Sequence, residues 1–462
     1  MKQIDAVSTN DPVRDRVLQL LKRYGREATS FQILEPDLAY WFDGDDAVVA
    51  YTDLGGAWVT AGEPVCAPDR TTQVASRFRD GALAAGKRAR FFHVSKQFVE
   101  RAGFAHTHVG ELPVWDPQDW EATLKRDRSL REQLRRARAK GVCTRQLTSA
   151  EIDSPTGAVR QQCDSLTGRW LRGRGMSELK FMVRLYLYGY PDERRYVLAE
   201  RDGQAVGLAV AIPIYQRGGW FIEDLLRDER APNGTAELLV DSMMRVFARE
   251  QSRYATLGLA PLAGEVRPLL ALTRNYTTRL YNFPGVRSFK EKLRPKQWDP
   301  VYLAYPRGEF GLLAMRDMLT AFAPAGLLRF GLATLVHQRT LATLLLALFL
   351  VPWTLALTVM NTAVWFPSRQ IQHAWTAYDV LLIVLMLSLV HRWRARVAEW
   401  VVVLTTLDAL LTSAQVLLWN VWTARTPFAW ALVALGCTGP LLAATFFWST
   451  RRVAMQGRSL RR

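Results

Sequence analysis

Apolar positions change their period along this chain, and the changes mark out its parts. From Asp11 to Tyr24 they recur at helical spacing behind an Asp11 cap and a proline at the first helical position, which predicts a short amphipathic helix. Residues 39–65 alternate β-rich runs with Asp-Gly and Gly-Gly turns, the pattern of a hairpin meander. Gln73 to Ala85 is helix-like and Arg88 to Val94 strand-like, so a small α+β domain ends near Trp120. Glu121 to Gly141 then predicts one basic helix stopped by Gly141.

A second α+β unit begins at Val142. Ala158 to Arg172 is helical, and Arg195 to Ile214 is a hairpin through an Asp-Gly turn. A short strand over Trp220 to Ile222 delivers Glu223, Asp224, Arg227 and Arg230 into a polar loop ending in Pro232-Asn233-Gly234. Leu238, Leu239, Met243, Val246 and Phe247 then recur at helical spacing, and a further apolar strand ends at Ala260-Pro261-Leu262. Helix, hairpin, strand, loop, helix, strand is the order of an N-acetyltransferase-type fold. The first block shows a weaker version, so the expected class is α+β with two acetyltransferase-like (GNAT-type) folds in tandem.

The last third has a different texture. Gly311 to Gln338 is mildly amphipathic, and four long apolar runs follow: Leu341 to Val359, Ala377 to Val390 with flanking residues from Ile371, Trp400 to Trp419 and Phe428 to Trp448. Each approaches the ~20 residues that a helix needs to cross hydrocarbon, with tryptophans near the ends as interfacial anchors. The expected division is 1–120 and 146–307 for the two folds, with 121–145 as basic connecting helix. A linker over 308–340, four transmembrane helices over 341–450 and a basic tail over 451–462 complete it. Arg392, Arg394 and Arg396 between the second and third runs, and the arginines of the tail, predict that these parts and the N-terminal domains face the cytoplasm.

Charge adds a constraint on partners. The 462 residues carry a formal net charge of +17, which points to polyanions: nucleic acid, an anionic membrane surface, or both. The four cysteines form no C-x-x-C or His/Cys cluster, so neither a metal site nor a disulfide framework is expected. The N-terminus lacks the apolar core of a signal peptide.

Several groups are candidates for chemistry. The helix start after Gly234 has free N–H groups and a positive dipole end, suited to an anion or an ester oxygen, or it is plain β-α-β packing with solvated loop charges. Arg131, Arg135 and Arg138 on the basic helix suit RNA phosphate, and equally a solvated connector. His93 is a ligand or base candidate, although a lone histidine in a strand is more often structural. Asp408, with Gln415 two turns on, is an ionisable group within the third apolar run, and an interhelical hydrogen bond or oligomer contact is its leading reading.

Three motifs carry a resemblance: EDLLRDERAPNGTAELLVDSMM (Glu223 to Met244), LGLAPLAG (Leu257 to Gly264) and LYNFPGVRSFKEKLRPKQWDPVYLAYP (Leu280 to Pro306). With GEPV at Gly62 to Val65, they resemble the catalytic domain of the phosphatidylglycerol lysyltransferase (aminoacyl-phosphatidylglycerol synthase) family over roughly residues 20 to 307. The resemblance implies transfer of an amino acid from aminoacyl-tRNA to the hydroxyl of phosphatidylglycerol, with no cofactor, and with aminoacyl-tRNA, anionic phospholipid and the membrane as partners. Under that reading we expect Asp224 and Arg227 as catalytic residues, Asp224 for the lipid hydroxyl and Arg227 for a phosphate, with a surface or interdomain ion pair as the alternative for each of these and of the following charged residues. Glu223, Arg230, Asn233 and Gly234 would contact substrate. Lys290 and Lys292, read as sharing one face of a strand, would supply positive charge, and Glu265 would hold the α-ammonium group.

Two departures qualify the resemblance. Where acetyl-CoA enzymes carry Q/R-x-x-G-x-G/A, this chain has Arg230-Ala-Pro-Asn233-Gly234-Thr235, which disfavours coenzyme A. The family's best-known layout places a many-span region before the catalytic domain, whereas here the apolar runs follow it, so lipid flipping is not carried over. Alternative readings are a tRNA-dependent peptidoglycan or CoA-dependent acyltransferase, or a non-catalytic membrane protein that binds lipid or RNA.

Overall fold

The computed structural model describes residues 11–173, 180–261, 283–323, 326 and 339–459. The chain divides into two compact units, 1–174 with 178–327, and 175–177 with 328–462.

The first unit is built on one sheet of twelve strands. The strands are β1 (Ala39–Phe42), β2 (Val48–Asp53), β3 (Ala57–Ala61), β4 (Arg88–Ser95), β5 (Ala105–Trp115) and β6 (Cys143–Leu147). They continue with β7 (Arg195–Arg201), β8 (Gln204–Ile214), β9 (Gly219–Arg227), β10 (Ala255–Thr256), β11 (Ala260–Pro261) and β12 (Gln297–Tyr305). Spatial order is β1-β2-β3-β4-β12-β5-β10-β9-β8-β7-β6, with β11 paired to β5. The order repeats itself. An antiparallel meander leads to a parallel pair joined by a helix, β3 with β4 and then β9 with β10, as two acetyltransferase-type folds require. The halves exchange strands: β12 lies antiparallel between β4 and β5, while β5 pairs with β10.

The helices follow their sequence signals closely. Helix α1 (Pro12–Tyr24) starts where Asp11 accepts the Val13 N–H, α2 (Thr71–Ala84) crosses between β3 and β4, and α3 (Lys96–Ala102) is capped by Ser95. The basic stretch is two helices: α4 (Trp120–Arg126) and α5 (Arg128–Ala139). Asp127 breaks it, because its extended backbone and its side-chain bond to the Leu130 N–H make it an N-cap. Then come α6 (Ser149–Asp153), α7 (Ala158–Gly173), α8 (Thr235–Arg249), α9 (Phe283–Lys292) and α10 (Gly311–Phe322).

Helix α10 lies in the stretch read as a linker, and it docks on the sheet. Asp317, 5% exposed, accepts from Arg88 Nε and Nη2 at 3.0 and 2.9 Å and from Arg90 Nε at 3.0 Å. Arg90 is fully buried and also donates to Glu309 at 2.5 Å, so its charge is compensated without water.

Among its described residues the second unit holds four helices long and apolar enough to cross a membrane. They are α11 (Arg339–Val359), α12 (Arg369–His391), α13 (Ala395–Gln415) and α14 (Pro427–Ser459). A π-helical turn, Val416–Asn420, extends α13. Leucines such as Leu348, Leu355, Leu410 and Leu418 are exposed, whereas Thr354, Gln372, Asp379, Thr405 and Asp408 are buried, the reverse of a water-soluble bundle. Gln415 supplies interhelical bonds, accepting from Trp375 Nε1 at 2.5 Å and donating to the Trp365 carbonyl. Asp408 instead accepts from Thr412 on its own helix.

Candidate active site

The acids of the EDLLR motif lie on a strand. β9 runs to Arg227, so Glu223, Asp224 and Arg227 belong to it, and the polar loop expected after Ile222 begins only at Asp228. Ile222 faces Ala211 while Asp224 faces Val210, which leaves Glu223 as the extra residue of a β-bulge. A regular strand would send consecutive side chains to opposite faces. Here both carboxylates bear on the same interior group, Glu35, which follows the short 3-10 turn Ser30–Leu34.

That interior is rich in acid. Glu35 is 3% exposed, its Oε1 has no hydrogen-bond partner, and burial together with the charges of Glu223 and Asp224 pushes its pKa well above the usual carboxylate range. Glu223 is held at both oxygens, by Gln32 Nε2 at 3.0 Å and by Arg194 Nη1 at 2.6 Å. Gln32 also donates to the Met182 carbonyl, and Arg194 to the Gly189 carbonyl, so the 180–194 segment is tied to the same point. Burial works most strongly against the Arg194 charge, yet Glu223, Tyr196 and Asp224 together outweigh it and raise the pKa. The rings of Phe31 and Tyr186 flank the guanidinium. Asp224 is 8% exposed on the same strand. Three buried carboxyl groups thus surround one fully buried guanidinium, within a strongly basic chain.

A second cluster joins the two halves. Lys290 is 6% exposed and donates to the carbonyls of Gly258 at 2.8 Å and Leu259 at 2.9 Å, within the LGLAPLAG motif. Burial lowers its pKa to about 7. Its charge reaches His93, whose own pKa falls to about 4, mainly through burial. His93 has φ of +60° and faces Thr29 Oγ1 at 3.5 Å. Glu63 of the GEPV turn accepts from the Ser95 N–H at 2.7 Å, and burial with the nearby Glu27 charge raises its pKa to about 7. Lys290 and Lys292 do not share a face. Their segment is helix α9, on which a two-residue step turns about 200°, so Lys290 is buried and Lys292 exposed.

The remaining candidates lie elsewhere or serve packing. Arg227 is half-buried at the end of β9, and Arg230 and Asn233 are exposed. Asp228 accepts from the Arg230 N–H and pairs with Arg169 at 2.5 Å. Gly234 has φ of +96°, and a Cβ there would sit 2.4 Å from the Gln133 carbonyl, so this glycine lets α5 pack against the start of α8. Arg135 pairs with Glu132, whose pKa falls to about 2, and Arg138 pairs with the fully buried Asp241. Arg131 donates to the carbonyls of Leu124 and Lys125, bracing the break between α4 and α5. Glu265 lies outside the described residues. Among the described residues no cluster of His, Cys, Asp or Glu has metal-binding geometry, and all four cysteines are free.

Glu35, Arg194 and Gln32 escaped the motif reading. Gln32 and Glu35 lie far along the chain from Arg194 and Glu223, and only the folded sheet with its bulge gathers them.

The family model described as "Phosphatidylglycerol lysyltransferase, C-terminal" matches residues 18–305. A phosphatidylglycerol lysyltransferase of Bacillus subtilis is 24% identical over 308 residues, covering 63% of this chain and 35% of that protein. One from Staphylococcus xylosus is 22% identical over 308 residues, covering 62% and 35%. The chain therefore spans about a third of the length of these curated relatives. Among solved structures, L-PGS from Bacillus licheniformis superposes with a TM-score of 0.58 at 20% identity, covering 69% of this chain and 99% of that one. A C-terminal lysylphosphatidylglycerol synthetase-type domain from Agrobacterium fabrum gives 0.58 at 23%, covering 66% and 96%. With the matched model extending over more than half of its length, the chain belongs to the family of phosphatidylglycerol lysyltransferase C-terminal domains.

Proposed function

We propose that this chain transfers an amino acid from aminoacyl-tRNA to the glycerol hydroxyl of phosphatidylglycerol at the cytoplasmic face of a membrane. The buried group of Glu35, Glu223 and Asp224 is the observation that carries this reading. Glu35 buries a carboxyl oxygen with no hydrogen-bond partner beside Glu223 and Asp224, a setting that suits the ammonium group of an aminoacyl ester, or the two of lysine. An acetyl or fatty acyl donor brings none.

In this mechanism the lipid hydroxyl oxygen attacks the ester carbonyl carbon. The bond to the ribose oxygen of the terminal adenosine breaks, and the hydroxyl proton ends on that ribose oxygen. Asp224 orients the hydroxyl and takes its proton in transit, and Arg227 holds a phosphate. Lys290 spends two of its three N–H donors on carbonyls, and the third supplies positive charge to the developing oxyanion. The ester is already activated, so the step needs neither ATP nor a redox partner. Packing of α5 against Gly234 further disfavours a pyrophosphate at the start of α8, and with it an acyl-CoA donor.

The arginines between α12 and α13 and in the tail support a reading in which the first unit faces the cytoplasm of a multi-pass inner-membrane protein. Site variants test the chemistry. Asp224→Asn and Arg227→Ala in the full chain should each lower transfer at least about a hundredfold with unchanged thermal unfolding. Wild-type rates in both variants, or lipid labelling from acyl-CoA, would overturn the assignment.

A further inference from the structure

The four-helix unit holds a half-open cavity of about 400 Å³, lined by none of the residues assigned to transfer. Two carboxylates line it from different helices, Asp379 on α12 and Asp408 on α13, 3% and 6% exposed. Each has one hydroxyl partner: Thr354 donates to Asp379 Oδ2 at 3.2 Å, and Thr412 to Asp408 Oδ1 at 3.3 Å. No lysine, arginine or histidine is among the residues lining the cavity, and no ion pair is formed by either aspartate among the described residues. Buried carboxylates in an apolar bundle are costly unless they hold a proton or a cation matches them.

The rest of the wall says which kind. Trp353, Trp365, Trp375, Phe349 and Phe366 line the same space, and aromatic faces attract organic cations. A hard metal ion would need six or more oxygen ligands, and this wall is mostly carbon. The far side is α14 at Gly436, Gly439 and Pro440, and a Cβ at Gly436 would press on the Trp353 ring at 3.2 Å. Small residues there keep the space open. The π-helical turn after Gln415 carries Asn420 to the Trp365 carbonyl, fixing that ring's backbone at the cavity.

We propose that this cavity binds an organic ammonium group, with Asp379 and Asp408 as counter-charge and the aromatic rings as its cage. The ammonium arrives either as the head of a membrane amphiphile or as a soluble amine, and the two share the chemistry the wall recognises.

The test uses the full chain in phosphatidylcholine nanodiscs and a diazirine-bearing alkyl probe with a primary ammonium head, beside the same probe with its head N-acetylated. The ammonium probe should label peptides of α11, α12 and α13 at least tenfold more than the acetylated one. In Asp379→Asn/Asp408→Asn the two probes should label equally. Displacement by an aminoacylated phospholipid but not by 1-aminopropane assigns the amphiphile as source, and displacement by 1-aminopropane assigns the soluble amine; both support an ammonium site. Equal labelling by the two probes in the wild-type protein would overturn the proposal, and that comparison does not depend on any variant folding.

Discussion

Glu35 and Lys290 show at the level of single residues how function is set against stability. Glu35 has a raised pKa in the folded state, so the stability linked to it is fully present below the ordinary glutamate pKa and is lost as pH rises through the raised value. Glu35→Gln stays neutral at every pH. Its melting temperature, followed on the full chain in detergent, should exceed that of the wild type by a margin that grows as pH rises above the ordinary glutamate range, while transfer activity falls. A constant margin would remove Glu35 from the acid cluster. Lys290 titrates at about 7, so its positive charge fades as pH rises through neutrality. The rate of transfer should fall over that range, and Lys290→Met should lose both the pH dependence and about a hundredfold in rate. A pH–rate profile of the two proteins decides this.

Two contacts test the packing of elements. Asp317 is what the buried Arg90 and the half-exposed Arg88 share, and Asp317→Ala should cost about 3 kcal/mol by leaving Arg90 under-compensated, releasing α10 from the sheet. Gly234→Ala combines a left-handed backbone with a clash on Gln133, and should cost on the order of 2 kcal/mol or more in denaturant unfolding. Most elements were legible beforehand because they rest on local signals: Asp11-Pro12 at α1, Asp202-Gly203 between β7 and β8, and the apolar period of α8. The misses have physical causes. Lys290 and Lys292, two residues apart, read as one face of a strand, yet their segment is helix α9, from which Lys290 reaches the carbonyls of Gly258 and Leu259. Asp127 inside a basic run reads as one more charge, and its backbone makes it a cap. The bulge at Glu223 leaves no mark in sequence, because it is set by register against β8. The motifs located Asp224 and Lys290. Glu35 and Arg194 were invisible, since their partners lie in other parts of the chain.

At the scale of the whole molecule, a basic unit with an acidic interior is joined in one chain to four membrane-length helices. The exterior charge should make tRNA binding strongly salt-dependent, with affinity falling at least about tenfold between roughly 0.05 and 0.2 M salt, as read by filter binding. Salt-independent binding would point away from phosphate contacts. The central claim is that an activated amino acid leaves tRNA for a lipid. The most direct measurement incubates the full chain, in phosphatidylglycerol vesicles, with tRNA carrying a labelled amino acid, and follows label into the lipid extract. The account predicts labelled lipid that vanishes when the tRNA is digested first and when Asp224→Asn replaces the wild type. Lipid that stays unlabelled with every aminoacyl-tRNA, or labelling that survives digestion, would contradict it.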